Sequence, residues 1–392
     1  MSTLSPLALP LDAYEITELL TWRRALHAQP ELSLTEHDTH AFLRAALREM
    51  GCHAETVGGT GLKVVLGQGA GPALLLRADM DALPVQEQSA LPFASQRPGC
   101  MHACGHDAHM AMLLAVAKRL KVNEELLPGR IVLCFQPAEE NGRGALALIG
   151  DGVLDDPPVG GALGLHVWTG LPVGTISAAP DGVMAAVGEF IITVKGRGGH
   201  GAMPHTAMDP VVAAAAVVQA LQTIASRRTD PLDPVVVTVG SIHGGSAFNV
   251  IADDVVLHGT CRSFSKELSE RLPDLVADIA GAAAASHGAS AETVYNQHTI
   301  VLRNDRTMAD LVASAASSTP GVRHVDRTMR MMGGEDMAYY LERVPGCFFF
   351  VGCGNLDGSS EPHHSPRFVI DEAGLPMGAN VMLRAVANYF AG

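Results

Sequence analysis

Three of four apolar runs in the first half of the chain carry carboxylates or imidazoles at or near their ends, and helical segments lie before, between and after the runs. "GLKVVLG", "ALLLRADMDALP", "GRIVLCFQPAEE" and "GALGLHVW" read as strands rich in Val and Leu. Helical periodicity lies on both sides of "QPELSLTE" between Glu15 and about Met50, and again in "DAHMAMLLAVAKRLK" and "GALALIGDGVL". Such alternation specifies an open, largely parallel sheet flanked by helices, and sheets of that kind gather their chemistry in a crevice beyond the carboxyl ends of the strands. The chain is thereby confined to the α/β class, with its functional groups expected along one rim.

Near residue 184 the pattern changes. "GEFIITVKGRG" alternates as a strand, "DPVVAAAAVVQALQTIASRR" reads as one long helix, and "DPVVVTVGSIHGG" and "DDVVLHGTCRSF" read as strands. A second helix, "SKELSERLPDLVADIAGAAAASHG", and a strand, "AETVYNQHT", follow. Two β-α-β units, with two helices against a four-stranded sheet, thus occupy residues 184–299. "TMADLVASAAS", "CFFFVGCG" and "GANVMLRAVANYF" then resume the first pattern. At 392 residues the chain exceeds what one core normally supports. The expectation is a catalytic domain built from residues 1–183 and 300–392, with a smaller α+β domain inserted at 184–299.

The densest coordinating chemistry is "MHACGHDAHM" at 101–110. A turn leading into a helix would point Cys104 and His106 the same way. Thiolate and imidazole suit borderline divalent metals, and carboxylates add oxygen ligands for zinc, manganese or cobalt. The two CxxC pairs of a structural zinc ribbon are missing, which favours an open catalytic site. Asp79, Asp81 and Asp107 are placed to orient ligands. The rival is a nucleophilic Cys104 activated by an imidazole, but it leaves Glu139, Glu140, His166 and His364 without work. In "AEE" one glutamate can bind metal while its neighbour moves protons. A regular strand would send Glu139 and Glu140 to opposite faces, so this scheme requires an irregular backbone there.

"LLLRADMDALPV", "MHACGHDAH", "FQPAEE", "GLHVW", "GRGGHGAMPH", "NVI", "GTCRSF", "GGEDMAYYL" and "HSPRFVIDE", spread over residues 74–372, together resemble the M20 metallopeptidase/aminoacylase family. The likeness is to its amidohydrolase branch, which includes hippurate hydrolases and plant auxin-conjugate hydrolases. The resemblance implies a zinc-peptidase-like mixed α/β/α catalytic domain with an inserted lid and dimerisation domain. It implies two divalent ions per subunit, zinc, manganese or cobalt, held by Cys104, His106, Glu140, His166 and His364, with Cys104 bridging. His364 is preferred to His363 because it directly precedes "SPRF". Glu139 becomes the general base acting on a bridging hydroxide, Asp81 the orienting carboxylate, and His200 the stabiliser of the oxyanion, in its own or a neighbouring subunit. Asn249 and Arg262 would hold substrate, the guanidinium gripping a free carboxylate through two hydrogen bonds. The implied reaction is hydrolysis of the amide bond of an N-acyl-amino acid, hippurate-like or N-acetyl. A dinuclear dipeptidase or carboxypeptidase is the second reading, and a metal-binding protein without turnover the third. A homodimer through the lid is implied, with a tetramer as the alternative. Ala252, Met337 and Ile370 depart from the branch's usual residues, and none is an implied ligand.

A net charge of −14 argues against nucleic acid or an anionic membrane as partner. No apolar run approaches a membrane span. "MSTLSPLALPLDAYEI" lacks a positively charged start followed by a long apolar stretch, so no signal peptide is read. Seven scattered cysteines do not resemble a disulfide framework, and a cytoplasmic protein with reduced thiols is expected. "GRGGHG" and "HGGSAFN" lack a phosphate-binding fingerprint. His27, His37, His40 and His53 read as surface or helix-end residues.

Overall fold

The computed structural model describes residues 6–355 and 357–391, so the first five residues of the stretch read for a signal peptide lie outside it. Two compact units emerge. The larger takes the described residues up to Asp181, Arg303–Arg330 and those from Asp336 onward, and the smaller takes Gly182–Leu302 with Met331–Glu335. Among the described residues no helix is long and apolar enough to cross a membrane.

In the larger unit, helices α1 (Ala13–Ala28) and α2 (His37–Glu49) precede strands β1 (Ala54–Val57), β2 (Gly61–Leu66) and β3 (Ala73–Asp79). Helix α3 (His106–Val122), strand β4 (Ile131–Gln136), helix α4 (Gly144–Gly150) and strands β5 (Val159–Pro172) and β6 (Thr175–Ser177) follow. One eight-stranded sheet runs β1-β2-β4-β3-β5, then Gly346–Gly354, β6 and His324–Asp326. The strands around β3 are parallel, whereas β1, β2 and the Gly346–Gly354/β6 pair are antiparallel. The sheet is therefore mixed, with its parallel part at the centre. Parallel strands are buried on both faces: all seven residues of β3 are buried, as are all six of β4. Helix α3 is apolar nearly all round because it too is enclosed, and Ala108–Ala117 are buried without exception.

Register sets the site. Arg77 lies level with Cys134 on one side and Gly164 on the other, and Asp79 with Gln136, so the carboxyl ends of β3 and β4 share one rim with the outer half of β5. Strand β5 is longer than the short strand expected, because it continues six residues past His166.

The smaller unit pairs four antiparallel strands in the order Val235–Gly244, Asp254–Ser263, Ala186–Lys195, Ser290–Thr299. Alternate residues Phe190, Ile192 and Val194 are buried in a core shared with the helices Pro210–Leu221 and Lys266–Ala285. Asp209 and Ser265 cap these helices. The first helix is shorter than its apolar run suggested: the chain leaves α-geometry after Leu221 and closes a π-type turn over Ile224–Arg228, with the Thr229 hydroxyl on the Ile224 carbonyl.

Candidate metal centre

The Cys-His loop reaches α3 through Gly105, whose φ of 91° is left-handed. A Cβ on Gly105 would stand 2.4 Å from Val167 Cγ2, so a side chain would push the loop off β5. Cys104 and His106 flank this glycine, and His106 opens the helix. His166 reaches the same place from β5, its Nε2 3.4 Å from Cys104 Sγ. From the far end of the chain His364, at φ 67°, is tied by its backbone N–H to the Ala103 carbonyl, and its Nε2 lies 3.7 Å from Glu140 Oε1.

Glu139 and Glu140 sit on the irregular backbone that their joint use requires. Ala138 takes a left-handed φ of 56°, and its N–H is held by the buried Glu36. Asp81 then accepts the next two backbone N–H groups, Glu139 N at 3.1 Å on Oδ1 and Glu140 N at 3.0 Å on Oδ2, together with the Ser33 hydroxyl at 2.7 Å. Burial would raise the Asp81 carboxyl, but His106 and these donors hold it below the usual range.

Three sets of potential ligand atoms, each within 4.8 Å of one another, overlap: Cys104, His106 and His166; Cys104, Glu140 and His364; His106, Glu139 and Glu140. The first two meet at the Cys104 sulfur. All five sequence-derived ligands and Glu139 thus come together in the larger unit.

The hydrogen-bond pattern fits a cation there. His106 Nδ1 donates to the Asp81 carbonyl at 2.9 Å and His166 Nδ1 to the Val167 carbonyl at 2.6 Å, so both rings turn Nε2 inward. His106 Nε2 and Glu140 Oε1 are buried with no hydrogen-bond partner, an arrangement that costs stability unless something binds both. Burial opposes a charge on His106, yet Asp79, Asp81 and Glu140 overcome it and lift the ring to about 10. The neighbouring carboxylates therefore stabilise positive charge at His106. Burial pushes Glu140 up to about 7, and burial together with Glu140 and Glu139 pushes the Cys104 thiol well up. Sulfur, nitrogen and carboxylate donors brought within 4.8 Å of one another in each set suit a divalent metal ion.

A sequence model of peptidase family M20/M25/M40 matches residues 75–388. The chain belongs to that family. The M20 chain is 41% identical over 363 residues to an N-acetyl-L-cysteine deacetylase of Bacillus subtilis (strain 168), covering 91% of this chain and 85% of the relative. It is 39% identical over 376 residues to an IAA-amino acid hydrolase of Arabidopsis thaliana, with 94% and 85% covered. A crystal structure from Bacillus subtilis, described as a dinuclear metal-binding peptidase of the M20 family, superimposes with a TM-score of 0.83 at 34% identity, covering 96% and 98%.

The sequence marks Asp79 and Asp107 of this M20 site as ligand-orienting carboxylates without showing the partners through which they act. Val167 N–H donates to His109 Nε2 at 2.9 Å, which leaves His109 Nδ1–H to donate to Asp79 Oδ1 at 2.6 Å. The second Asp79 oxygen meets Arg77 at 2.7 Å, and Arg77 continues to Asp336 at 2.8 Å. His27 does lie at a helix end, but it is 1% exposed rather than on the surface, with Nδ1 2.9 Å from Asp107 and Nε2 3.2 Å from Glu87. Arg23 shares Asp107 at 2.8 Å, tying α1 to the first turn of α3. The signal available was the helical spacing of Arg23 and His27 in α1.

The remaining three residues lie in the smaller unit. His200 pairs across a short antiparallel bridge with Val250, and Gly201 N–H donates to the Asn249 carbonyl, so His200 and Asn249 are neighbours. Ala202 N–H donates to His200 Nδ1 at 3.0 Å, which leaves Nε2–H as an exposed donor. Arg262 is half-buried on the Asp254–Ser263 strand, in an open groove of about 480 Å³ beside Glu189 and His258.

Proposed function

We propose that this M20 protein is a metal-dependent amidohydrolase that cleaves N-acyl-amino acids into a carboxylic acid and a free amino acid. The observation that carries the proposal is the pair Glu139 and Glu140, held on one turn by Asp81, with both carboxylates at His106. A pure binding site has no use for the second carboxylate. Cys104, His106, Glu140, His166 and His364 would hold two divalent ions, zinc, manganese or cobalt, with the Cys104 sulfur shared. When bound, such ions lower the pKa of water and polarise an amide carbonyl. Glu139 takes a proton from the attacking water onto its carboxylate and delivers it to the departing amide nitrogen. Asp81 acts through Glu139 and Glu140 by fixing their backbone. In the smaller unit, His200 would supply an N–H donor to the developing oxyanion, and Asn249 and Arg262 would bind substrate. The smaller unit would serve as lid and as the contact of a homodimer, in a cytoplasmic enzyme.

The test is release of free amino acid from N-benzoyl-glycine, N-acetyl-amino acids and matched dipeptides, using protein stripped with chelator and restored with each metal. Metal-restored cleavage of the acylated compounds is expected. Cleavage of dipeptides alone would move the protein to the peptidases. Glu139→Gln should lower turnover by about 10²–10⁴-fold while metal content stays the same, and near-normal turnover would remove Glu139 as the base.

A further inference from the structure

The first N–H groups of the turn that follows β4 all end on buried carboxylates. Pro137 has no N–H to give. Ala138, Glu139 and Glu140 are therefore the first donors; Asp81 takes the last two, and Glu36 takes the first at 2.9 Å on Oε1. Glu36 is wholly enclosed. The same Glu36 oxygen accepts the Leu34 N–H at 3.0 Å, and Oε2 accepts the Thr60 hydroxyl at 2.7 Å. Leu34 and Ala138 both take left-handed φ, 68° and 56°, a conformation that is costly for residues with a side chain. One carboxylate oxygen thus binds the N–H groups of two strained residues.

Glu36 stands immediately before α2, where an acidic side chain ordinarily serves its own helix. Here it makes no such bond, and Glu31 caps α2 instead, accepting Asp38 N–H at 3.2 Å and Thr39 N–H at 2.8 Å. The Glu36 carboxylate is left to the turn that carries Glu139. On the other side of Ala138, its carbonyl accepts the Arg143 and Gly144 N–H groups at 3.2 and 3.1 Å. Ala138 is gripped at both ends, and the φ set between them decides where the chain carries Glu139.

We infer that Glu36 is a positioning residue for the general base: by holding the Ala138 N–H it fixes the left-handed step that aims the Glu139 carboxylate. The inference rests on the amidohydrolase reading, in which Glu139 moves the proton, and adds a residue that acts only through the backbone. A misplacement of about 1 Å at a reacting group costs about 10²-fold in rate.

Glu36→Ala, assayed at saturating metal on the N-acyl-amino acid cleaved fastest, should lower kcat about 10²-fold and leave KM within about threefold. Glu36→Gln keeps an accepting oxygen and should restore kcat to within about threefold. Glu36→Asp, one methylene shorter, should behave as Glu36→Ala does, and it carries the test if Glu36→Ala does not fold. Added to Glu139→Gln, Glu36→Ala should cost less than about a further threefold, because a residue that acts through Glu139 then has nothing left to aim. By hydrogen exchange, the Ala138 amide should lose protection at least about tenfold in Glu36→Ala and keep it in Glu36→Gln, while the Thr39 amide, held by Glu31, stays the same in both. A kcat within about threefold in Glu36→Ala, a further loss of about 10²-fold on top of Glu139→Gln, or an Ala138 amide indifferent to the change would overturn the inference. If the unaltered enzyme cleaves none of the acylated compounds, the amidohydrolase reading fails, and exchange at Ala138 still decides whether Glu36 sets the turn.

Discussion

Replacing Asp81 should show how far the site depends on one buried carboxylate. Its side chain is wholly enclosed and accepts from Glu139 N, Glu140 N and Ser33 Oγ, with His106 Nδ1 a further 3.3 Å from Oδ1. Asp81→Ala strands three donors, and an unsatisfied buried donor costs about 1–3 kcal/mol. Glu140 N and the Ser33 hydroxyl are only partly buried, so water can serve both, and the expected loss is about 2–4 kcal/mol. Asp81→Asn keeps the shape but turns an NH₂ toward at least one N–H, which sets the loss at about 2–3 kcal/mol. Because both glutamates are aimed by this carboxylate, a displacement of about 1 Å should also cost about 10²-fold in kcat/KM. Urea unfolding of chelator-treated protein, followed through Trp22 and Trp168, reports the larger unit, which holds both indoles. Asp81→Asn within about 1 kcal/mol of the unaltered protein, with turnover reduced less than about threefold, would refute the argument that Asp81 sets the turn.

Two further outcomes follow from the same geometry. Gly105→Ala, forced into left-handed φ and against Val167, should displace Cys104 and His106 and weaken metal binding by at least about tenfold in a competition titration; unchanged affinity would mean that the loop tolerates the shift. Metal uptake should strengthen as pH rises. Cys104 is raised by burial and by its acidic neighbours, Glu140 is raised to about 7 by burial, and His106 is lifted to about 10, so binding must displace protons. Affinity should gain about tenfold per pH unit for each proton released between about pH 6 and pH 8, and pH-independent affinity would refute the assigned ligands.

The parts of this fold that could be read in advance share a physical origin: each is local. Val- and Leu-rich runs gave the strands, and the switch to two helices on four strands marked the smaller unit. The spacing of Cys104 and His106 before an apolar helix placed the loop at the start of α3. The demand for an irregular turn at Glu139 and Glu140 followed from strand geometry alone. What escaped was non-local. Arg77 and Asp336 are 259 positions apart and pair only because β3 and the segment after Glu335 meet in the interior. Asp79 and His109 are 30 apart, and nothing in either local pattern shows that the imidazole will be enclosed against a backbone N–H. His27 looked like any polar residue ending a helix until Asp107 and Glu87 closed over it. The length of β5 was missed because its outer residues continue past the conspicuous "HVW".

The interrupted larger unit also has a history in time. Strand β5 takes its second parallel neighbour, after β3, from Gly346–Gly354, with the smaller unit encoded in between. About 170 residues separate the two strands, and at ~5–20 residues per second a ribosome needs roughly ten to thirty seconds to cross that gap. During that interval the inserted unit has all of its main sheet available, while β5 waits with one edge unpaired and His166 lacks the loop that brings His364. Cys104, His106, Glu140 and His166 exist in the nascent chain well before the last ligand emerges. Order of synthesis thus keeps the metal centre open until the final strand and helix arrive, and a ribosome that stalls after the insertion would release a folded smaller unit attached to an unfinished enzyme.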